Sequence, residues 1–371
     1  AKYPLYTFPV LIGGAVWVTQ EKVKLNAKYN VFTGLILTIT LIISVLLTHS
    51  YEAPTLVRII LPVVFLPVAI HLIFKYVPGD WYKPNLSSMW EMAKFSIPLG
   101  LASIFGTLAI QLAGIIVSFL TSPDEYAIYA NGAKEVPFIS IVTGSISVVI
   151  LSDMAKKIKE GELRAALELF RKAATISASF LFPIMIFLMI FSKSFINILY
   201  SSKYIESVIP FRIYLLIIPI RIAYYGSAFI ALGRTKAILF RSIVDLSLTT
   251  LFCYLFVLWL GAYGAALGLV FTMFLWTIPY NLFSLSRSFK CNVTYMLPFN
   301  RLFRIVLISI LSAIIPSFLL IYKLNAILEF SIGISTYVII YIILAFKFIE
   351  EFRGIIYPYF KKITLFGYKF F

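Results

Sequence analysis

Six charged side chains lie where a chain this apolar tolerates few: Lys134, Glu135, Arg212, Arg221, Arg241 and Asp245. Arg221 is set in the run "IIPIRIAYYGSAF", and Lys134 and Glu135 in "ANGAKEVPFI". A guanidinium in hydrocarbon is costly unless it meets a partner, water or a substrate, so intramembrane charge is read first as a functional signal. The chemistry open to these groups is binding. The arginine fork fits phosphate oxygens, lysine adds a point charge, and a carboxylate can neutralise a neighbouring cation or hold H⁺ or Na⁺. No Ser–His or Cys–His arrangement, phosphate-cradling glycine loop or carboxylate pair within one loop points to catalysis, so no enzyme is expected. The histidines, His49 and His71, have no partner at ligand spacing, and Cys253 and Cys291 should lie too far apart for a disulfide. No metal site or cofactor is expected.

The elements holding these charges follow from hydropathy. The 371 residues are 61% hydrophobic and 13% charged, and apolar stretches of about 20 residues recur along the chain. Backbone polar groups find no water in a bilayer, so each stretch reads as a helix. Eleven spans are predicted, at about 3–19, 30–48, 54–75, 94–120, 123–152, 173–192, 207–232, 236–260, 262–285, 302–322 and 326–348. The fold class is all-α and polytopic.

The loops at 20–30, 75–94, 153–172, 233–241 and 286–304, with the tail from 347, hold 24 of the 32 basic residues. Basic loops stay on the cytoplasmic side, so this set and the C-terminus are expected there, in the cytoplasmic (inner) membrane. The net charge of +16 is then a topological signal that also attracts anionic lipid, and no nucleic-acid partner is needed. With eleven spans the N-terminus falls outside, and "AKYPLYTFPV" is no signal peptide. That parity predicts an odd number of further helices upstream.

Depth along a helix, at about 1.5 Å per residue, puts Arg221 roughly 20 Å and Asp245 roughly 14 Å from the basic-loop side, both near mid-membrane. Arg212 and Lys134 come out near the opposite interface. Arg241 is shallow enough to snorkel. A capping box at Ser122, Pro123 and Glu125 starts the fifth span, which is expected to run unbroken through Lys134 and Glu135. Two readings of Arg221 stay open: a packing ion pair with Asp245, or a binding cation. Pro219 leaves its angle to Arg212 open.

Three blocks in order, "WEMAKFSIPLGLAS", "EYAIYANGAKEVPFI" and "PIRIAYYGSAFIALGRTK", resemble the seventh, eighth and tenth helices of polysaccharide flippases. These belong to the multidrug/oligosaccharidyl-lipid/polysaccharide exporter superfamily. The resemblance covers about residues 88–240 and implies a two-lobe transporter fold whose first lobe is incomplete by three helices. Residues 1–78 would then be the remainder of the first lobe and 79–93 the linker. The second lobe would be 94–298, with two extra helices and a basic tail at 299–371. It further implies a polyprenyl-diphosphate-linked oligosaccharide as substrate, flipped by alternating access and bound by Arg221, Lys134 and Arg212. Glu135 and Asp245 would neutralise Lys134, Arg221 or Arg241, or couple an ion, H⁺ or Na⁺. Family members often carry an acidic residue near "IQLAGIIVS", and its absence here weighs against ion coupling. Membrane lipids are the other partner, and a monomer is expected. A multidrug exporter, a peptidoglycan-precursor flippase and a membrane-embedded glycan polymerase or ligase are the alternatives.

Overall fold

The computed structural model describes residues 17, 23–49, 52–76, 85–322, 324–354 and 357. Among these no strand occurs, and nine helices are long and apolar enough to cross a membrane. The chain is an all-α polytopic membrane protein. Of the eleven predicted spans, the first (3–19) lies outside the described residues apart from Trp17. The fifth is present but broken.

The chain divides into two compact units, Ala1–Asn85 and Leu86–Phe371. In the first, α1 (Val23–Thr48) packs along α2 (Glu52–Tyr76). Trp17 and Tyr29 meet edge to face at 5.0 Å, beside buried Ala69. The rest of both helices shows large apolar side chains outward, among them Leu46, Leu47 and Val64. A helix apolar on all sides is stable only where its surroundings are also apolar, which is the condition inside a bilayer.

The second unit opens with α3 (Leu86–Leu120), 35 residues or roughly 52 Å. It starts eight residues earlier than the hydropathy window, within the stretch read as linker, so its first turns extend beyond the apolar run. α4 (Pro123–Gly132) and α5 (Pro137–Lys159) follow. Next come α6 (Leu163–Ile190), α7 (Ser192–Tyr200), and three short helices: α8 (Val208–Leu215), α9 (Ile218–Arg221) and α10 (Tyr225–Ala231). Then α11 (Thr235–Leu260) leads to α12 (Ala262–Thr272), a π-turn at Met273–Thr277, and α13 (Ile278–Phe289). α14 (Phe299–Ser317) and α15 (Ala326–Phe348) close the described chain.

The core of this unit lies around α6, where Phe170, Ala174, Ala178 and Leu181 are fully buried. α14 and α15 pack onto it, with the Tyr341 hydroxyl donating to Ser179 O at 2.6 Å. Across the unit, α11 packs along both α3 and α12. Small residues set that second contact: a Cβ at Gly264 would fall 2.1 Å from Phe256 O, and one at Gly268 2.5 Å from Cys253 N. Close backbone approach of this kind is how membrane helices gain packing where apolar burial drives nothing.

Two predicted spans are discontinuous. The fifth ends at Gly132 and restarts at Pro137, so Lys134 and Glu135 lie in a non-helical break rather than within one long helix. The expectation missed the effect of proline on its own predecessor. Pro137 has no N–H to give to Ala133 O, and it pushes Val136 to extended backbone, observed at φ −67°, ψ 123°. Packing then holds the break, because a Cβ at Gly132 would lie 2.5 Å from Ser207 O and 2.6 Å from Pro210 Cγ. The span at 207–232 breaks twice. Around Pro219 the backbone tightens to bonds three residues apart, from Leu216 to Ile213, Ile217 to Tyr214 and Ile220 to Ile217. It opens again at Ile222–Tyr224 before α10.

Candidate functional site

The breaks lie beside a cavity of about 710 Å³ within the second unit. Polar residues reach it from each bounding element. α3 contributes Ser103, Thr107 and Gln111, and α5 contributes Ser140, Thr143 and Ser147. Arg221, Tyr224 and Ser227 come from α9, α10 and the bend between them, and Arg241, Asp245 and Thr249 from α11. Thr272, Thr277 and Asn281 come from the path through α12 and α13. Residues three, four or seven apart share a face of an α-helix, which explains the sets on α3, α5 and α11, while the third is brought together by the bend at Ile222–Tyr224. Thr272 and Thr277 are five apart and would diverge on a regular helix. The π-turn between them takes up the extra residue and returns Thr277 to the cavity face. Pro279 just beyond cannot donate to Leu275 O, which favours the wider turn.

Glu135 and Asp245 each balance an arginine, but one pairing left open in the sequence is not made. Arg221 does not meet Asp245: its Nη2 donates to Glu135 Oε2 at 2.9 Å. The two breaks bring these residues together, 86 positions apart in sequence, so helical depth alone could not show the pair. Glu135 also sits just ahead of the N-terminus of α5, where the helix dipole favours a negative charge. The pair is 41% and 33% exposed at its side chains. Neither side chain is enclosed by the other, so the guanidinium keeps donors that Glu135 does not occupy. Arg221 lines the cavity while Glu135 lies outside it, and the cavity sees the guanidinium with its counter-charge at the rim.

Asp245 instead holds Arg241 from the preceding turn, with Nε to Oδ2 at 3.4 Å, and accepts from Thr277 Oγ1 at 2.6 Å. Arg241 also donates through Nη1 to Asn281 Oδ1 at 3.3 Å. The expectation that Arg241 snorkels is therefore replaced. A carboxylate four residues on and an amide across the helix contact hold it inward, at 20% side-chain exposure.

The other two predicted binding cations do not line the main cavity. Arg212 donates through Nε to Ser192 Oγ at 2.6 Å, which ties α8 to α7. Lys134 is exposed, with Nζ 5.7 Å from the Tyr200 ring centroid, and borders a small pocket of about 10 Å³ together with Glu135 and Arg221. Sequence reasoning missed Arg241, Thr277 and Asn281 as neighbours of the site. A signal was present in the spacing of Arg241, Asp245 and Thr249 and of Ser140, Thr143 and Ser147, each a polar stripe along an apolar helix. The stripe ending in Asn281 was hidden by the π-turn. Among the described residues no group of His, Cys, Asp or Glu could hold a metal ion.

Fold and site together define a multi-pass helical membrane protein with a basic, hydroxyl-lined cavity inside one unit. Among solved structures, the lipid II flippase MurJ in an inward closed conformation superposes with a TM-score of 0.62. The match covers 95% of this chain and 72% of that one at 19% identity, so the likeness is one of fold. No curated protein matches the chain. A family model described as polysaccharide biosynthesis protein matches residues 9–209, more than half of the chain. The chain belongs to that family, on the fold of the multidrug/oligosaccharidyl-lipid/polysaccharide exporter superfamily.

Proposed function

We propose that the protein flips a polyprenyl-diphosphate-linked oligosaccharide across the cytoplasmic membrane for cell-surface polysaccharide synthesis. The observation that carries this reading is Arg221, which lines a cavity with polar side chains on its walls while its partner carboxylate lies outside the lining. A diphosphate brings two or more negative charges, and a planar guanidinium at the cavity edge offers them parallel N–H donors. The half-exposed bond to Glu135 leaves further N–H donors of Arg221 for a second acceptor. Hydroxyl and amide groups along the walls suit a glycan, and the prenyl chain stays in the bilayer. Exposure of the cavity first to one side and then to the other moves the headgroup, and the helix breaks are where such bending needs least force.

The reading puts the basic loops and the C-terminus in the cytoplasm, and it casts the protein as a transporter with no cofactor. A multidrug exporter of cationic compounds is disfavoured by the cavity lining, which carries Arg221 and Arg241 against Asp245. Coupling to H⁺ or Na⁺ would fall to Glu135 or Asp245, each already held by an arginine. Lys134 and Arg212 assist through the field at the rim rather than by direct contact within the main cavity.

The test is translocation of a fluorescent polyprenyl-diphosphate oligosaccharide in liposomes containing the protein. Arg221→Gln is expected to lower the rate at least tenfold at equal protein content, with Arg221→Lys intermediate. An unchanged rate in Arg221→Gln overturns the role given to this residue.

A further inference from the structure

We infer that Arg241 and Asn281 form a separate sugar-recognition point in the cavity, reading the glycan while Arg221 reads the diphosphate. The inference rests on the flippase reading above and names the part of the substrate that the α11–α13 wall would bind.

Asn281 is fully buried at the cavity wall. Its Oδ1 accepts from Arg241 Nη1, but its Nδ2 has no hydrogen-bond partner among the described residues. A buried amide that served only to tie α11 to α13 would be expected to use both ends, because an unmatched donor is expensive to bury. Here one end orients Arg241 and the other is left as a donor.

The guanidinium is held by one hydrogen bond and one ion pair. Nη1 donates to Asn281 Oδ1, Nε lies 3.4 Å from Asp245 Oδ2 without completing a hydrogen bond, and Asp245 is itself held by Thr277. Arg241 is therefore oriented before any ligand arrives, and two buried donors, its own Nε and Asn281 Nδ2, are left unmatched in the wall of the cavity. Preorganised donors of this kind lose little freedom on binding.

Charge separates this point from Arg221. Both members of the Arg241–Asp245 pair line the cavity, so this wall is neutral overall. Arg221 has its carboxylate outside the lining. A second phosphate gains little where Asp245 stands beside the guanidinium, whereas an uncharged oxygen meets donors without repulsion.

The facing hydroxyls favour the same class of ligand. Thr107 and Thr143 donate to carbonyls of their own helices, at Ser103 and Ile139, and so present lone pairs to the cavity. A ligand group that both accepts and donates satisfies the two walls together. Sugar hydroxyls and acetamido groups do this, and a phosphate diester does not.

The experiment measures affinity of the full-length protein in nanodiscs for three probes: bare polyprenyl diphosphate, the same lipid bearing one hexose, and the same lipid bearing one N-acetylhexosamine. Wild type is expected to bind at least one sugar-bearing lipid about tenfold more tightly than the bare lipid. Asn281→Leu and Asn281→Asp are expected to bring that ratio close to one, the second while keeping an oxygen for Arg241. Arg221→Gln is expected to weaken all three lipids and preserve the ratio. Equal affinity of wild type for all three lipids, or an unchanged ratio in both Asn281 variants, overturns the sugar point. Unchanged binding of bare diphosphate in Arg221→Gln overturns the headgroup reading instead.

Discussion

Arg221 and Arg241 are both arginines bonded to carboxylates, yet their settings differ. Arg221 meets Glu135 across two chain breaks, half-exposed, while Arg241 meets Asp245 one turn away and is held again by Asn281. Glu135 and an anionic headgroup would compete for the same guanidinium. Removing the charge of Glu135 should therefore raise affinity for bare polyprenyl diphosphate by a few-fold, and titration of Glu135→Gln checks this. Asp245→Asn should act in another way. It leaves Arg241 without a counter-charge in a mostly buried place and is expected to lower the melting temperature in detergent by several degrees.

At the scale of elements, the two breaks matter more than the helices they interrupt. Pro137 and Pro219 withhold donors, and Gly132 allows the first break to lie against Ser207 and Pro210. Gly132→Ala would place a carbon where a carbonyl already stands. It should cost roughly 1–3 kcal/mol, read as a lower thermal midpoint, because backbone atoms cannot move aside as a flexible side chain can. A Pro137→Ala variant tests the cause of the break itself. With a donor restored, α4 and α5 can fuse, and hydrogen exchange at 133–136 should slow by an order of magnitude or more. Fusion would also remove a point where the span bends, so the transport rate should fall with it.

At the scale of the whole molecule, orientation is the quantity to measure. With 24 of the 32 basic residues assigned to one set of loops, positions 157 and 203 should lie on opposite sides of the membrane. Single cysteines placed there, in a chain with Cys253 and Cys291 replaced by serine, should react from opposite faces with an impermeant maleimide. Labelling from the same side would overturn the topology.

Hydropathy alone made the nine long described helices and the all-α membrane class legible, because a bilayer leaves the backbone no other way to satisfy its polar groups. The family was legible in three motif blocks. Arg221 could be singled out because a charge amid apolar residues is costly wherever the chain folds. Which of the two carboxylates it meets could not. Whether Arg221 meets Asp245 or Glu135 depends on two helix breaks lying side by side, and that contact spans 86 residues and rests on glycine–backbone packing. Asn281 stayed hidden for a related reason. A π-turn shifts the register between Thr272 and Thr277, so the residue joins the cavity face only once the backbone has taken that turn. The sequence determined which residues are costly to bury, since that follows from side-chain chemistry and a solvent without water. Tertiary structure decided which of them share the cost, because pairing depends on where the helices stop.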